Sequence, residues 1–401
     1  MLDRSVKCAR GLSFWPTDSP VCAVRCRPER VGGGGPVTVV DVALVVVRLA
    51  IGIWLLWSLP RFGRLGSFDL DRVTVVVPAR NEAAQLPRLL RSLSGIRAEV
   101  VVVDDDSTDG TPSVASSHGA TVVSSSPLPD GWGGKAWACE VGAEAATGDV
   151  VVFVDADVRF APGALGRIVA ALDERGGLVS VQPFHVPGSP VEHLAALFNV
   201  VAIAATDVAS PTGRRAGARG AFGPVLACRR SDHERVGGHA VVGERVNDDV
   251  ALAEAFAAHE LPVTVLAGGD DVAFRMYPLG LGQLVEGFTK NLAAGVGAAR
   301  RSTALLVVAW LTLLVQASVA PVRALLGSAD PVIAGALYAV VAAQVWWMAR
   351  RVGRFGPITA LAFPLLLVTF LAVFARSVVA AARGSVSWRG RRLATRRSRR
   401  P

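Results

Sequence analysis

Val151-Val-Phe-Val-Asp-Ala-Asp-Val-Arg-Phe160 is the stretch that decides the fold. Four apolar residues lead directly into two carboxylates, Asp155 and Asp157, and the sequence then becomes polar. A continuous apolar run of this kind is typical of a strand buried on both faces of a parallel sheet. The carboxylates would lie at the carboxyl end of that strand, where open α/β sheets bind their ligands. They either converge on one hard cation, since alternate residues of a strand point the same way, or mark an ordinary strand-to-loop turn.

Two earlier segments repeat this pattern of an apolar strand followed by polar residues. Val73–Val77 predicts a short buried strand that ends at Pro78, and a helix with leucines at helical spacing follows it. The strand Val100–Val103 leads into the acidic turn Asp104-Asp-Asp-Ser-Thr-Asp-Gly-Thr111. Strands that alternate with helices predict an α/β fold with a doubly wound parallel sheet. We expect this domain to cover residues 70–272.

Apolar segments flank the predicted domain on both sides. Hydrophobic residues make up 51% of the 401, and the mean hydropathy of +0.43 is high for a wholly soluble enzyme. Three uncharged runs, Thr303–Val322, Pro331–Met348 and Pro357–Ala375, approach the length that crosses a hydrocarbon core. We therefore predict a membrane block of about three helices over residues 301–381 and a transmembrane helix over residues 37–60. The alternative is that these are core helices.

The net charge of +9 comes largely from the carboxyl-terminal tail, residues 382–401, which holds eight arginines and no acid. No aromatic-interleaved patch or reader motif accompanies these arginines, so we do not expect nucleic acid as a partner. A basic tail beside a membrane segment is expected to contact anionic headgroups and to stay cytoplasmic.

Residues 1–36 are predicted to be poorly structured. They have no apolar periodicity, and the segment lacks the apolar core of a signal peptide. One hypothesis is that translation begins near Val37, so that these residues reflect the choice of start site. The five cysteines show no paired metal-ligand spacing, and we interpret them as free thiols in a reducing compartment.

Three motifs together resemble the family 2 glycosyltransferases, which have a GT-A fold. They are Val75-Val-Val-Pro-Ala-Arg-Asn-Glu82, the acidic turn that starts at Asp104, and Asp155-Ala-Asp157. The resemblance implies that the site residues for the nucleotide sugar are Pro78, Arg80, Glu82, Asp104, Asp105, Lys135 and Asp155. It also implies that Asp157 and Asp155 bind Mg²⁺ or Mn²⁺. For Asp104 and Asp105 the alternative is an acidic turn that caps a helix.

Leu128-Pro-Asp-Gly-Trp-Gly-Gly-Lys-Ala-Trp-Ala138 combines glycines with Lys135. Glycines allow the backbone to approach a phosphate, and a lysine places a positive charge on it, although the spacing is not that of a Walker loop. The segment resembles one in membrane glycosyltransferases that act on carotenoid-type or hopanoid-type lipids. A solvent loop is the alternative. Lysine is otherwise found only at Lys7 and Lys290, against 39 arginines, which gives Lys135 more weight.

Asp248 and Asp249 open a predicted helix at the end of Gly237-Gly-His-Ala-Val-Val-Gly-Glu-Arg-Val-Asn-Asp-Asp249. In an ordinary helix such acids complement the dipole. In the family the matching acidic pair supplies the general base, which the resemblance places at Asp249. The family's usual Glu-Asp is Asp-Asp here, so Asp248 stays a second candidate. His239 either lines the acceptor side or has a structural role.

Phe274-Arg-Met-Tyr277 and Glu286-Gly-Phe-Thr-Lys-Asn291 resemble two further segments of the lipid-linked subgroup, with Phe288 where tryptophan is usual. Arg275, Tyr277 and Lys290 are therefore predicted acceptor or gate residues, on an interfacial segment over residues 273–300. The Gln-x-x-Arg-Trp signature of processive synthases is absent. We therefore expect transfer of a single sugar.

The predicted reaction is metal-assisted transfer of one sugar from a nucleotide-diphosphate donor to a membrane lipid. Alternatives are transfer to a polyprenyl phosphate and, from another class, an inactive membrane scaffold with this fold. The enzyme is expected in the cell membrane as a multi-pass protein with its catalytic domain in the cytoplasm. Three full spans after that domain would place the basic tail outside, against the positive-inside rule. One segment, that interrupted by Pro364, is therefore expected to be re-entrant or interfacial.

Overall fold

In a computed structural model of the protein, a seven-stranded sheet forms the centre of the domain predicted at residues 70–272. The structure describes residues 38–63, 69–213, 220–243, 245, 247–295, 299–383, 385–388 and 391–394. The strands are β1 (Val73–Ala79), β2 (Glu99–Asp104), β3 (Thr121–Ser124), β4 (Val150–Val154), β5 (Val158–Phe160), β6 (Leu178–Gln182), β7 (Phe184–His185), β8 (Val225–Arg229), β9 (Val263–Ala267), β10 (Val272–Phe274), β11 (Ser385–Trp388) and β12 (Arg391–Ala394). The predictions for residues 1–36 and for half of the tail lie outside the described residues.

The helices precede the sheet, cover both of its faces and follow it in the chain. They are α1 (Val39–Leu55), α2 (Leu86–Leu93), α3 (Thr111–Ser117), α4 (Gly134–Ala145), α5 (Ala164–Arg175), α6 (Ala196–Ala205), α7 (Arg230–Arg235), α8 (Asp248–Ala258), α9 (Leu281–Gly295), α10 (Arg301–Leu325), α11 (Pro331–Val352), α12 (Pro357–Leu361) and α13 (Phe363–Ala382). Two 3₁₀ helices, Pro190–Ala195 and Gly238–Val241, complete this set.

The order of the large sheet is β3-β2-β1-β4-β8-β6-β9. β1 is parallel to β2 and to β4, which confirms the predicted doubly wound parallel arrangement in this half. β8 is antiparallel to both β4 and β6, a reversal that the sequence pattern did not predict. Val225, the first residue of β8, pairs with Val154, the last residue of β4. The chain therefore enters β8 at the edge where β1, β2 and β4 end.

β1 continues through Pro78 to Ala79, two residues beyond the predicted end. It pairs with β4 only as far as Val76 and with β2 as far as Ala79. Pro78 is tolerated because it lies beyond the β4 ladder, where no neighbour needs its missing N–H.

The two faces of the sheet are covered by separate layers of helices. Val75 and Val77 belong to a buried cluster with α2 and α5, whereas Val76 belongs to one with α4 and α8. This alternation follows from the two-residue period of a strand. Gly142 allows α4 to lie close on β1, because a Cβ atom there would lie 2.2 Å from Val76 Cγ1.

A small second sheet, in the order β5-β10-β7, lies beside the Asp155–Asp157 turn. β10 pairs with β5 in antiparallel fashion and with β7 in parallel. It crosses the predicted domain boundary at residue 272, so Val272–Phe274 belongs with the domain. This pairing carries the chain that follows, including Arg275 and Tyr277, towards the turn.

Among the described residues, three helices are long and apolar enough to cross a membrane, namely α10, α11 and α13. They agree with the predicted block of about three helices and indicate membrane association. α1 has 17 residues and is about 25 Å long, so its prediction as a span stays a prediction. Gln344 of α11 accepts a hydrogen bond from the Trp310 indole (3.0 Å) and donates one to the Leu49 carbonyl (2.7 Å). These bonds hold α1, α10 and α11 together.

Candidate active site

The loop after β1 is joined to the acidic turn after β2 by a set of hydrogen bonds. Asn81 has a φ of 54°, and its side-chain oxygen accepts a bond from the Thr108 N–H at 2.8 Å. The Asn81 N–H donates to Ser107 Oγ, and the Glu82 N–H donates to Thr111 Oγ1, both at 2.9 Å. The two loops predicted to cradle a nucleotide therefore form one unit.

The acidic pair at the end of β2 lies in this unit. Asp105 is buried and forms an ion pair with Arg80 (Nη1 to Oδ2, 3.6 Å). Asp104 Oδ2 accepts a bond from the Ser107 N–H at 3.3 Å. Asp104 Oδ1 is buried and accepts no hydrogen bond from the part of the chain that the structure describes. A buried acceptor of this kind suits a ligand that brings an N–H or hydroxyl donor.

Lys135 connects the two acidic motifs that the sequence keeps almost a hundred residues apart. Its Nζ atom lies 2.7 Å from Asp155 Oδ1 and 3.7 Å from Asp248 Oδ2, and it donates to the Gly223 carbonyl at 3.3 Å. Burial alone would lower the pKa of Lys135, but the two carboxylates outweigh it and hold the pKa well above its usual value. The ammonium group is therefore charged at physiological pH.

Asp248 and Asp249 open α8 as predicted and differ in their proton affinity. Burial, together with the charge of Asp248, raises the pKa of Asp249 to about 6. Burial would also raise the pKa of Asp248, but Lys135 and Lys290 outweigh burial and lower that pKa below its usual value. Asp249 Oδ2 accepts the Gly223 N–H and Oδ1 accepts the Val250 N–H, each at 2.8 Å. The pair thus offers one acid that is charged at neutral pH and one acid suited to proton transfer near neutral pH.

Lys290 reaches this group of charges from α9, the helix that precedes the membrane block. Burial lowers the pKa of Lys290, and the charges of Asp248, Asp249 and Asp155 partly offset that effect. Tyr277 is buried against Phe288 of α9, with ring centroids 4.9 Å apart. Burial and, to a smaller extent, the charge of Asp157 raise the pKa of the Tyr277 hydroxyl.

Asp155 and Asp157 are the residues that could hold a divalent cation. They offer carboxylate oxygens, the ligands preferred by Mg²⁺ and Mn²⁺, at the end of β4. The Asp155 N–H donates to the Pro224 carbonyl at 2.9 Å, which fixes the start of the turn. This donor set fits the predicted cation.

His239 is almost completely buried and packs against Phe153 of β4, with ring centroids 4.7 Å apart. Its ring Nδ1 shares a hydrogen bond with His233 Nε2 at 2.9 Å, and its backbone N–H donates to Glu140 Oε2 at 2.6 Å. Burial lowers the pKa of His239 to about 3 and that of His233 to about 4, so both rings are neutral. Glu140, His233 and His239 bring three possible metal-ligand atoms together, yet they already satisfy one another as a brace between α4 and the Gly238–Val241 turn.

Arg275 points away from the acidic group. Its guanidinium pairs with Glu192 (Nη2 to Oε1, 2.7 Å), whose side chain is completely buried. Its backbone N–H contacts the turn through a 3.4 Å bond to the Asp157 carbonyl. The structure thus brings together Lys135, Asp155, Asp248, Asp249 and Lys290, and it leaves the Arg275 and His239 side chains in supporting positions.

Sequence reasoning missed Gly223, Glu140 and Glu192. Gly223 binds Asp249 through its N–H and Lys135 through its carbonyl. No motif marks this residue, because its role depends on the reversed direction of β8. The sequence did contain a signal for Glu192. It is an isolated acid in the apolar stretch Pro190–Ala205, where an acid is unusual.

Known proteins resemble the chain in sequence. The sequence profile of glycosyl transferase family 2 matches residues 74–201. A 4,4'-diaponeurosporenoate glycosyltransferase of Staphylococcus haemolyticus (strain JCSC1435) is 38% identical over 259 residues, which are 61% of this chain and 69% of that protein. The protein of the same name from Staphylococcus aureus (strain USA300) is 34% identical over 339 residues, 81% of this chain and 89% of that one.

Among solved structures, the chain also matches the mannosyltransferase PcManGT from Pyrobaculum calidifontis, in complex with GDP-Man and Mn²⁺. It is 21% identical in sequence, and the match covers 85% of this chain and 97% of that one with a TM-score of 0.49.

Proposed function

The chain belongs to glycosyl transferase family 2, and from this premise we propose that it transfers one sugar from a nucleotide-diphosphate donor to a carotenoid-type lipid. It is a glycosyltransferase, and its predicted GT-A fold is confirmed. The observation that carries the proposal is the meeting of Lys135, Asp155, Asp248 and Asp249 at one edge of the sheet, beside helices apolar enough to enter a membrane.

The donor is proposed to bind where the joined loops after β1 and β2 meet the Asp155–Asp157 turn. Asp104 Oδ1 is an acceptor for a base N–H or a ribose hydroxyl, and Lys135 supplies positive charge for the diphosphate. A cation held by Asp155 and Asp157 would offset the charge of the departing diphosphate. Whether this cation is Mg²⁺ or Mn²⁺, both carboxylates serve it in the same way.

Asp249 is proposed as the general base that accepts the proton of an acceptor hydroxyl while the nucleoside diphosphate leaves. Its raised pKa suits this role, because a base works best when its pKa lies near the working pH. Asp248, held charged by Lys135, keeps that pKa raised through repulsion.

The acceptor is proposed to arrive from the membrane along α9, which carries Lys290 to the acidic group. The relatives' name ends in -oate, the ending for a carboxylate, and a carboxylate acceptor would need a positive partner rather than a base. The acceptor group is thus a hydroxyl, served by Asp249, or a carboxylate, served by Lys290. The absence of the processive signature supports transfer of a single sugar, and the catalytic domain is proposed to face the cytoplasm.

The test is to express the chain in a host that makes carotenoid alcohols and carboxylic acids, and to analyse its lipids by mass spectrometry. Membranes are also incubated with radiolabelled UDP- and GDP-sugars and Mg²⁺ or Mn²⁺. We expect one hexose added per carotenoid in wild-type membranes and none in membranes that carry Asp249→Asn and Asp157→Ala together. Label that appears only in polyprenyl phosphate would refute the proposed acceptor, and labelled polymer would refute the single transfer.

A further inference from the structure

The helices α12 and α13 follow a path that differs from that of a simple membrane span. We infer that they form a re-entrant hairpin, so that α13 does not cross the bilayer but returns to the face on which the catalytic domain lies. The inference rests on the membrane association proposed above. It concerns α13 because length and composition alone would make this helix a third span after the domain.

The hairpin starts at the domain. Arg354 donates its backbone N–H to the His185 carbonyl of β7 at 2.8 Å, and Gly353 pairs with the same residue. The Arg351 side chain donates to the Leu56 carbonyl at the end of α1. The chain just after α1 is itself attached to the domain, because the Ser58 N–H donates to the Ala209 carbonyl. The carboxyl end of α11 therefore lies at the domain face.

The chain then descends along α11. The Tyr338 hydroxyl donates to the Leu361 carbonyl at the end of α12, and the Tyr338 ring packs on Phe363 with centroids 4.8 Å apart. Tyr338 lies 14 residues before Val352, which is about 21 Å along the helix axis. The turn between α12 and α13 therefore lies beside Tyr338 on α11, away from the Val352 end of that helix and short of the full depth of a hydrocarbon core of about 30 Å.

The chain returns along α9 and α6. The Phe370 ring of α13 lies 5.2 Å from that of Phe198, which stacks on Phe288 of α9 at 4.0 Å. β11, which follows α13 directly, again lies against α9. α9 belongs to the domain face, because its Lys290 acts on the acidic group of the active site. α13 therefore ends at this face with Ala382, its last residue.

The distribution of charge supports the same path independently. The arginines at the domain ends of the helices include Arg61, Arg300, Arg301, Arg350, Arg351 and Arg354. At the opposite ends the described residues include one arginine, Arg323, together with the acids Asp41 and Asp330. If α13 crossed the bilayer, the eight arginines of the tail would lie on the side of the membrane where Asp41 and Asp330 lie. A re-entrant hairpin keeps them with the other cations, as the positive-inside rule requires.

Cysteine labelling in cells tests the path. The parent variant carries Cys8→Ser, Cys22→Ser and Cys26→Ser and keeps the buried Cys139 and Cys228. Single reporters are then placed at exposed positions: Ala382→Cys after the hairpin, Leu326→Cys between α10 and α11, and Glu174→Cys on the domain. A membrane-impermeant maleimide is added before or after permeabilisation, and the lipid glycosylation assay is run on the same membranes.

We expect Ala382→Cys and Glu174→Cys to react under the same condition, either before or only after permeabilisation. Leu326→Cys should react under the other condition. A fourth reporter, Leu365→Cys beside the turn, should resist the reagent from both sides. Labelling of Ala382→Cys together with Leu326→Cys would overturn the hairpin while leaving the glycosylation result intact. If washing with carbonate released the protein from the membrane, both the hairpin and the membrane part of the proposed function would be overturned. Loss of glycosylation together with the expected labelling would refute the proposed function alone.

Discussion

The pH dependence of transfer to a carotenoid alcohol is expected to report the ionisation of Asp249. Burial and Asp248 raise the pKa of Asp249, whereas Lys135 and Lys290 lower it, with a net value of about 6. A general base must be deprotonated, so kcat/KM should be constant above pH 7 and fall as the pH drops through 6. It should be about half its maximum at pH 6 and about a tenth at pH 5, since kcat/KM follows the ionised fraction in the free enzyme.

Two variants should shift this profile in opposite directions. Asp248→Asn removes a like charge, so the pKa of Asp249 falls and the decline moves to lower pH. Lys290→Met removes a positive charge, so the pKa rises and the decline moves to higher pH. Both lose absolute activity, and the comparison therefore uses profiles normalised to their own maximum. The assay measures initial rates in membranes with saturating cation between pH 4.5 and 9.

Two outcomes would contradict the assignment of Asp249 as the base. A profile that stays flat down to pH 4.5 would exclude Asp249 as the base and would leave Asp248, whose pKa is lowered, as the candidate. Shifts of the same sign in Asp248→Asn and Lys290→Met would refute the electrostatic explanation.

Three further predictions concern other parts of the site. Asp157→Ala should reduce transfer by about 100-fold or more, measured as labelled lipid at saturating donor and cation, with the protein still in the membrane. Gly223→Ala should reduce kcat about tenfold, because the new Cβ would lie 3.3 Å from both Asp249 Oδ2 and Lys135 Nζ and displace them slightly. Glu192→Gln should destabilise the protein by about 1–3 kcal/mol, seen as a lower melting temperature in detergent, because it leaves Arg275 without its buried counter-charge.

Each of these has a matched control. Wild-type transfer by Asp157→Ala would disprove its assignment as a metal ligand, provided that the variant melts like the parent. Gly282→Ala adds a methyl group where no atom lies within 4 Å, so equal losses in both glycine variants would contradict the crowding argument. Glu174→Gln removes an exposed acid, and a melting temperature that falls equally there would show that Glu192 has no special structural role.

Much of the fold followed from local pattern. Apolar runs that end in polar residues predicted β1, β2 and β4, because buried parallel strands need continuous apolar sequence and leave their polar ends at one edge. Asp248 and Asp249 were correctly placed at the start of a helix, and the three long apolar runs became α10, α11 and the segment of α12 and α13. These features depend on neighbours in the chain, which the sequence shows directly.

The tertiary structure alone decided how those pieces meet. The antiparallel entry of β8 places Gly223 between Lys135 and Asp249, and no residue near Gly223 in the chain reveals it. The opposite pKa shifts of Asp248 and Asp249 likewise require Lys135 and Lys290 to arrive from α4 and α9. Sequence by itself determined which residue types stand at the strand and helix ends. Contacts between residues far apart in the chain decided which charges face one another, because Coulomb energy depends on separation in space and not on separation in sequence.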